Sequence, residues 1–176
     1  MQLLLFTILL SIPTTMTLFD FTPDGNIEDW RVVDDGVMGG LSQGRFSLSE
    51  EGHGYYRGYV SLANNGGFSS LRYRMPTIRV EGFTNIKIRL KGDGKRYQLR
   101  LKSEAWDRHS YKGEFVTTGE WEEISIPLAE LSPTFRGRSL NMANYPVETL
   151  TEVALLIGNK EEEDFALMLD WIRLTR

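Results

Sequence analysis

The chain contains no cysteine and only two histidines in 176 residues. Without cysteine there are no disulfides, no thiolate catalysis, no cysteine-ligated zinc or iron–sulfur centre and no lipid-modified N-terminal cysteine. His53 and His109 stand apart, outside any H-x-x-x-H or H-E-x-x-H spacing, so neither a zinc enzyme nor another metal site is expected. Helical periodicity is nearly absent. A net charge of −4 and the lack of an aromatic-interleaved RNA motif argue against nucleic acid as a partner. No phosphate-loop spacing occurs either, and no cofactor is expected.

What is present describes one folded domain. Aromatic residues make up 11% and charged residues 25%, an ordinary balance for a globular chain of this length. The N-terminal run "LLLFTILLSIP", Leu3 to Pro13, has the length of an export signal and is too short to span a bilayer comfortably. The expected division is a signal peptide over 1–17 and a single domain over 18–176, with the mature protein periplasmic or extracellular. The alternatives are an uncleaved anchor, a first buried strand, or translation from Met16 and a cytoplasmic product.

Short segments alternating at period two dominate the remainder, the mark of half-buried antiparallel strands. They are "GRFSLSE" (44–50), "YYRGYVSL" (55–62), "FSSLRYR" (68–74), "NIKIRLK" (85–91), "RYQLRLKS" (96–103), "YKGEFVTT" (111–118), "WEEISIP" (121–127), "VALLIGN" (153–159) and "FALMLDWIRL" (165–174). "PLAEL" (127–131) is a single helical turn, and 132–149 is irregular, either a ligand-contacting loop or a packed crossover. Eight or more strands with Gly, Asn and Asp clusters between them predict an all-β jelly-roll sandwich.

Charge is distributed unevenly. From Arg72 to Lys102 ten Lys or Arg face two acids, a balance of +8, and from Glu120 to Asp164 ten acids face three bases, a balance of −7. "GDG" at 92–94 predicts a tight hairpin turn joining 85–91 to 96–102, with Ile86, Ile88, Leu90, Tyr97, Leu99 and Leu101 alternating against Lys87, Arg89, Lys91, Gln98, Arg100 and Lys102. One face of such a ribbon is apolar and the other cationic. Like charges on neighbouring strands repel. Either the acidic C-terminal strands offset them, or an anionic or polyhydroxyl ligand or an acidic partner does. The binding candidates are Arg72, Arg89, Gln98, Arg100 and Tyr97.

"VVDDGVMGGLSQG" (32–44) invites a chemical reading that its spacing does not support. Neither G-x-x-x-x-G-K-[ST] nor G-x-G-x-x-G is present, so it is no phosphate cradle. Asp34 and Asp35 are adjacent and point opposite ways in extended chain, which suits neither a calcium loop nor a glycosidase carboxylate pair. A demanding turn remains, with glycines supplying unusual backbone angles and Met38 plugging the adjoining core.

Five blocks in order, "FDF…W…VDDGVMGGLSQGRF" (19–46), "NNGGFSSLR" (64–72), "RLKGDGKRYQLRLKS" (89–103), "WEEISIPLAEL.PTFRG" (121–137) and "VALLIGNKEEEDFALMLDWI" (153–172), resemble the complex I intermediate-associated protein 30 family, in a bacterial, exported form. The resemblance implies a galactose-binding-domain-like jelly roll, similar to certain carbohydrate-binding modules. Family members in eukaryotes are assembly factors for respiratory complex I without known catalytic residues. Asp35, Met38, Gly39, Gly40 and Ser42, with Gly92, Asp93 and Gly94, fall on the signature and are expected to define the fold.

No nucleophile–base pair is evident, so no catalytic residue and no enzyme are expected. The expected function is a binding or assembly module for a protein client or complex subunit, touching a membrane only through that client. The alternative is a carbohydrate-binding module, to which Tyr55, Tyr56, Arg57 and Tyr59 point. A sugar site should show aromatic planes beside Arg, Asp or Gln on one concave sheet face, and a protein-binding module an exposed apolar or charge-polarised patch.

Overall fold

A computed structural model describes residues 14–176, apart from the side chains of Val37 and Met38, so the apolar run Leu3–Ile12 lies outside the described residues. Thirteen strands follow one another: β1 Thr15–Asp20, β2 Trp30–Asp34, β3 Gln43–Leu48, β4 Gly54–Val60, β5 Ser69–Arg79, β6 Asn85–Lys91, β7 Arg96–Lys102, β8 Ser110–Val116, β9 Trp121–Pro127, β10 Ser132–Phe135, β11 Arg138–Ser139, β12 Thr149–Ile157 and β13 Glu163–Thr175. Every pairing is antiparallel. One sheet runs β3-β4-β13-β6-β9, with β1 also on β13, and the other runs β11-β10-β8-β7-β12-β5-β2. The expected all-β sandwich is therefore observed.

The period-two pattern explains the packing. Ile86, Ile88 and Leu90 of β6 and Tyr97, Leu99 and Leu101 of β7 are 1% exposed or less and meet Leu71, Val153, Leu155, Leu167 and Leu169 in one core. Residues between them point outward from each sheet. In β13 the apolar phase shifts by one, from Phe165, Leu167 and Leu169 to Ile172 and Leu174, and a β-bulge between Leu169 and Trp171 absorbs the shift. A second irregularity, where β5 carries Pro76, lies between the Leu150 and Glu152 pairings of β12.

The predicted hairpin at 85–102 does not form. β6 pairs with β13 and β9, whereas β7 pairs with β12 and β8, so the chain crosses from one sheet to the other at Gly92–Lys95. The alternation of both strands is satisfied either way, because two apolar faces meet one core equally well from opposite sheets. Asp93 secures the crossing by accepting from Lys95 N at 3.2 Å and from Ala166 N of β13 at 2.9 Å. Gly94 has φ +83°, and a Cβ on Gly92 would come closer than 3.0 Å to Thr117.

Other expectations shift as well. Residues 132–149 are not wholly irregular, because β10 and β11 pair through Thr134–Ser139 and Phe135–Arg138, and Tyr145 is buried behind them. "PLAEL" does contain a single 3-10 turn, Leu128–Glu130. Thr15, Met16 and Thr17 of β1 pair with Thr175, Leu174 and Arg173 of β13.

Candidate functional site

The signature turn is held together by its own acids. Asp34 and Asp35 do point apart. Asp34 accepts from Gly44 N at 2.9 Å and from the Ser69 hydroxyl, joining β2 to β3 and β5. Asp35 is 2% exposed and accepts from Ser42 N at 3.1 Å, Ser42 Oγ at 2.6 Å, Gly67 N at 2.6 Å and Phe68 N at 3.2 Å. Burial raises the Asp35 carboxyl pKa, but these donors together outweigh it and leave the group below its ordinary value. Both carboxylates of the turn are thus engaged with protein donors. Met38 has its backbone in the 3-10 turn Asp35–Met38, and its expected plugging role lies outside the described side chains.

Gly39 and Gly40 are both required, for different reasons. Gly39 has φ +87° and ends the 3-10 turn. A Cβ on Gly40 would come closer than 3.0 Å to three atoms of the Asp35 side chain. Gly39→Ala should cost on the order of 1–2 kcal/mol from the left-handed backbone alone. Gly40→Val should cost more, because it displaces the carboxylate from its donors. Thermal melts check the order, and a Gly40→Val protein that melts like wild type but loses a ligand would make the turn a contact site.

The binding candidates separate into three places. Tyr97 is 0% exposed, with its hydroxyl on Asp93, so it belongs to the core. Arg89 lies on the outer face of the six-stranded sheet, where its Nε contacts Asp170 Oδ2 at 2.9 Å and its guanidinium sits 5.7 Å from the Trp121 ring centroid. The missing hairpin is the reason, since β6 and β7 send their cations to opposite sides of the sandwich. Arg72, Gln98 and Arg100 do come together, on the outer face of the seven-stranded sheet.

Strand register sets their arrangement. Arg31 pairs with Arg72, Arg72 with Ala154, Ala154 with Arg100, and Arg100 with Lys112, giving one row across β2, β5, β12, β7 and β8. Ser70, Ala154 and Leu156 form a buried floor, at 1%, 3% and 6% exposure. Several bordering cations are held by acids: Arg74 by Glu152 at 2.8 Å, Lys112 by Glu114 at 2.8 Å and Arg96 by Glu114 at 3.9 Å. Among the described residues no carboxylate lies within 4.0 Å of Arg31, Arg72 or Arg100. Arg100 instead donates from Nε and Nη2 to Gln98 Oε1, at 3.1 and 2.8 Å. Burial first and the Arg72 charge second push Arg100 below the ordinary guanidinium value, against the pull of Glu114.

The opposite face is aromatic. On the six-stranded sheet, Gln43, Arg45, Tyr55, Arg57, Tyr59 and Asp164 line a shallow depression of about 360 Å³. The Arg57 guanidinium lies 4.9 Å from the Tyr55 ring centroid, and Arg173 lies 4.2 Å from that of Trp171. Tyr56, grouped with Tyr55 and Tyr59 in the sequence, points the other way and is 0% exposed, its hydroxyl donating to Ser69 at 2.7 Å. Asp164, Trp121 and Trp171 on this face carry no sequence signal, because only strand pairing sets β9 and β13 in the same sheet as β4.

Solved structures of the same architecture include the family 11 carbohydrate-binding module of Clostridium thermocellum in complex with a β-1,3-1,4-mixed-linked tetrasaccharide, 15% identical with a TM-score of 0.67 over 94% of this chain and 97% of that one. An agarase contains a similar region, 12% identical with a TM-score of 0.59 over 93% of this chain and 25% of the agarase. These likenesses establish a fold. In sequence, an uncharacterized protein of Schizosaccharomyces pombe is 26% identical over 90% of this chain and 83% of its own length. The sequence model of the complex I intermediate-associated protein 30 family matches residues 19–169, nearly the whole described domain, and the chain belongs to that family.

Proposed function

We propose that the chain is a non-catalytic binding module that holds a protein client, a complex subunit or an assembly intermediate, on the outer face of its seven-stranded sheet. Family membership supports an assembly role. The observation that carries the choice of face is the pair Arg72 and Arg100, half-buried beside each other over an occluded floor with no carboxylate within reach among the described residues. On the same face Arg74 is placed against Glu152, a partner that Arg72 and Arg100 lack.

Arg100→Ala separates binding from structure. The variant should stay folded within about 1 kcal/mol of wild type, since it breaks no ion pair and relieves repulsion from Arg72. It should lose capture of the client in a pull-down from the native host. A variant that is strongly destabilised yet still captures the client would sink this reading.

A second reading has its own support. The depression lined by Tyr55, Tyr59, Arg45, Arg57, Gln43 and Asp164 has the aromatic-plus-polar lining a sugar ring requires. The Clostridium thermocellum module of the same fold is seen with a tetrasaccharide. Binding on a glycan array that Tyr55→Ala or Tyr59→Ala abolishes and Arg100→Ala leaves intact would favour carbohydrate.

A further inference from the structure

We propose that Arg72 and Arg100 form a clamp for a carboxylate above Ala154, and that its occupant is an extended stretch of polypeptide bearing Asp or Glu. The inference rests on the client-binding reading and gives that client its chemistry.

The clamp is prepared by its neighbours. Gln98 Oε1 receives both Nε and Nη2 of Arg100, which fixes the plane of the guanidinium and leaves its remaining Nη1 edge unused. Arg72 Nε reaches Ser70 Oγ at 3.4 Å, so both of its Nη groups remain available. The two arginines stand on strands separated only by β12, at the same level of register, with Ala154 between them. Adjacent strands are about 4.8 Å apart, so the two backbones are separated by about 10 Å, a gap two long side chains can close around one planar anion. Ala154 is 3% exposed and so already covered, and the carboxylate would seat on the free Nη edges above it.

Many surface cations lack an acid, and that alone would mean little. These two differ because they are half-buried, contact neutral partners, Gln98 for Arg100 and Ser70 for Arg72, and are close enough for the Arg72 charge to oppose that of Arg100. Such an arrangement costs stability until an anion enters. Glu114, the nearest acid by field, is already committed to Lys112 at 2.8 Å.

The face also selects the carrier of the carboxylate. The outward register neighbours of the clamp are Arg31, Ser70, Leu156, Gln98 and Lys112, with Glu152 held by Arg74 and Glu114 held by Lys112 next to them, and none of these is aromatic. Rings do occur on this sheet, Phe68 two positions before Ser70 and Phe135 on β10 under Arg108 and Arg136, but none is a register neighbour of Arg72 or Arg100, where a sugar acid would have to stack. An extended peptide needs none. Its alternate side chains fall about 7 Å apart on one side and can follow the row from Arg31 to Lys112.

The test uses the full domain with a synthetic peptide of alternating Glu and Ser and its Gln counterpart, measured by fluorescence anisotropy. The Glu peptide should bind, the Gln peptide should not, and Arg72→Lys and Arg100→Lys should each weaken binding by about tenfold or more, because lysine keeps the charge but lacks the fork. Binding of both peptides alike, lysine variants that bind like wild type, or no binding by the wild type would overturn the clamp. Tighter binding of polygalacturonate than of the Glu peptide would overturn the peptide and assign an acidic glycan. Loss of a dimer on Arg100→Ala, seen by sedimentation, would overturn it in favour of a second copy of this chain. Client capture separates this inference from the reading beneath it. If Arg100→Ala loses the client while wild type ignores the Glu peptide, the face is right and the clamp is wrong. If the Glu peptide binds as expected and client capture is indifferent to Arg100→Ala, the clamp stands and the client reading falls.

Discussion

Asp35→Ala should destabilise the protein by about 3–5 kcal/mol, because it strands four donors inside the signature turn. Ser42 N, Ser42 Oγ, Gly67 N and Phe68 N all converge on this carboxylate, and no cation contributes. Ser42 Oγ additionally accepts from Ser61 N at 3.0 Å, so the loss would spread to the end of β4. Asp35→Asn should cost less, about 1–2 kcal/mol. Its amide oxygen can take the Oδ2 position, which receives three of the four donors, leaving only the NH₂ group facing Ser42 N. Urea melts of the three proteins check the order, and an Asp35→Ala variant as stable as wild type would refute the structural role.

The same carboxylate makes stability depend on pH. Its folded pKa is depressed, so its contribution is complete above the unfolded value of about 4 and disappears as pH falls through the folded value. The stability difference between wild type and Asp35→Asn should therefore be constant near neutrality and shrink below about pH 4. Comparing the two proteins cancels the other depressed carboxyls, such as Glu114, whose fall is caused first by its hydrogen bond from Lys112.

Much of the fold could be read from the residues. β6 and β9 fall where "NIKIRLK" and "WEEISIP" place them, because strict alternation beside clear turn residues leaves little freedom. β1, β2, β10 and β11 give no comparable signal. β2 is five residues, "WRVVD", with no alternation, and β10 contains Pro133. The site was half legible. Parity within one strand put Gln98 and Arg100 on one outer face, and that survives. Which strand lies beside which is a long-range choice that period two cannot make. Period two alone therefore joins Arg89 to the face of Arg100, whereas strand pairing puts it on the other sheet, and Arg31 and Ala154, beside Arg72 and Arg100, carry no signal at all. Tyr97 has the parity of Leu99 and Leu101, so the alternation that places it in the core, and not its hydroxyl, is the signal that holds.

Asp93→Ala should cost about 3 kcal/mol, through the crossing that replaces the expected hairpin. Asp93 accepts from Lys95 N and Nζ, each at 3.2 Å, from Ala166 N at 2.9 Å, and from the Tyr97 hydroxyl at 3.1 Å. The Ala166 bond ties the crossing to β13, so one side chain spans both sheets. The Tyr97 ring is fully buried, and burial first, then Asp93, pushes its phenol far above the ordinary range. Removing the carboxylate leaves that hydroxyl without its acceptor in the core. Tyr97→Phe should cost about 1 kcal/mol by itself, and less in the Asp93→Ala background, where the unpaired hydroxyl has become a liability. A double-mutant cycle should accordingly return a coupling of about 1 kcal/mol between the two residues. Client capture supplies the other half of the test. Tyr97→Phe should leave it unchanged, because nothing outside the core can reach the ring. Independent, additive costs together with lost capture would return Tyr97 to the binding face and undo the placement of the crossing.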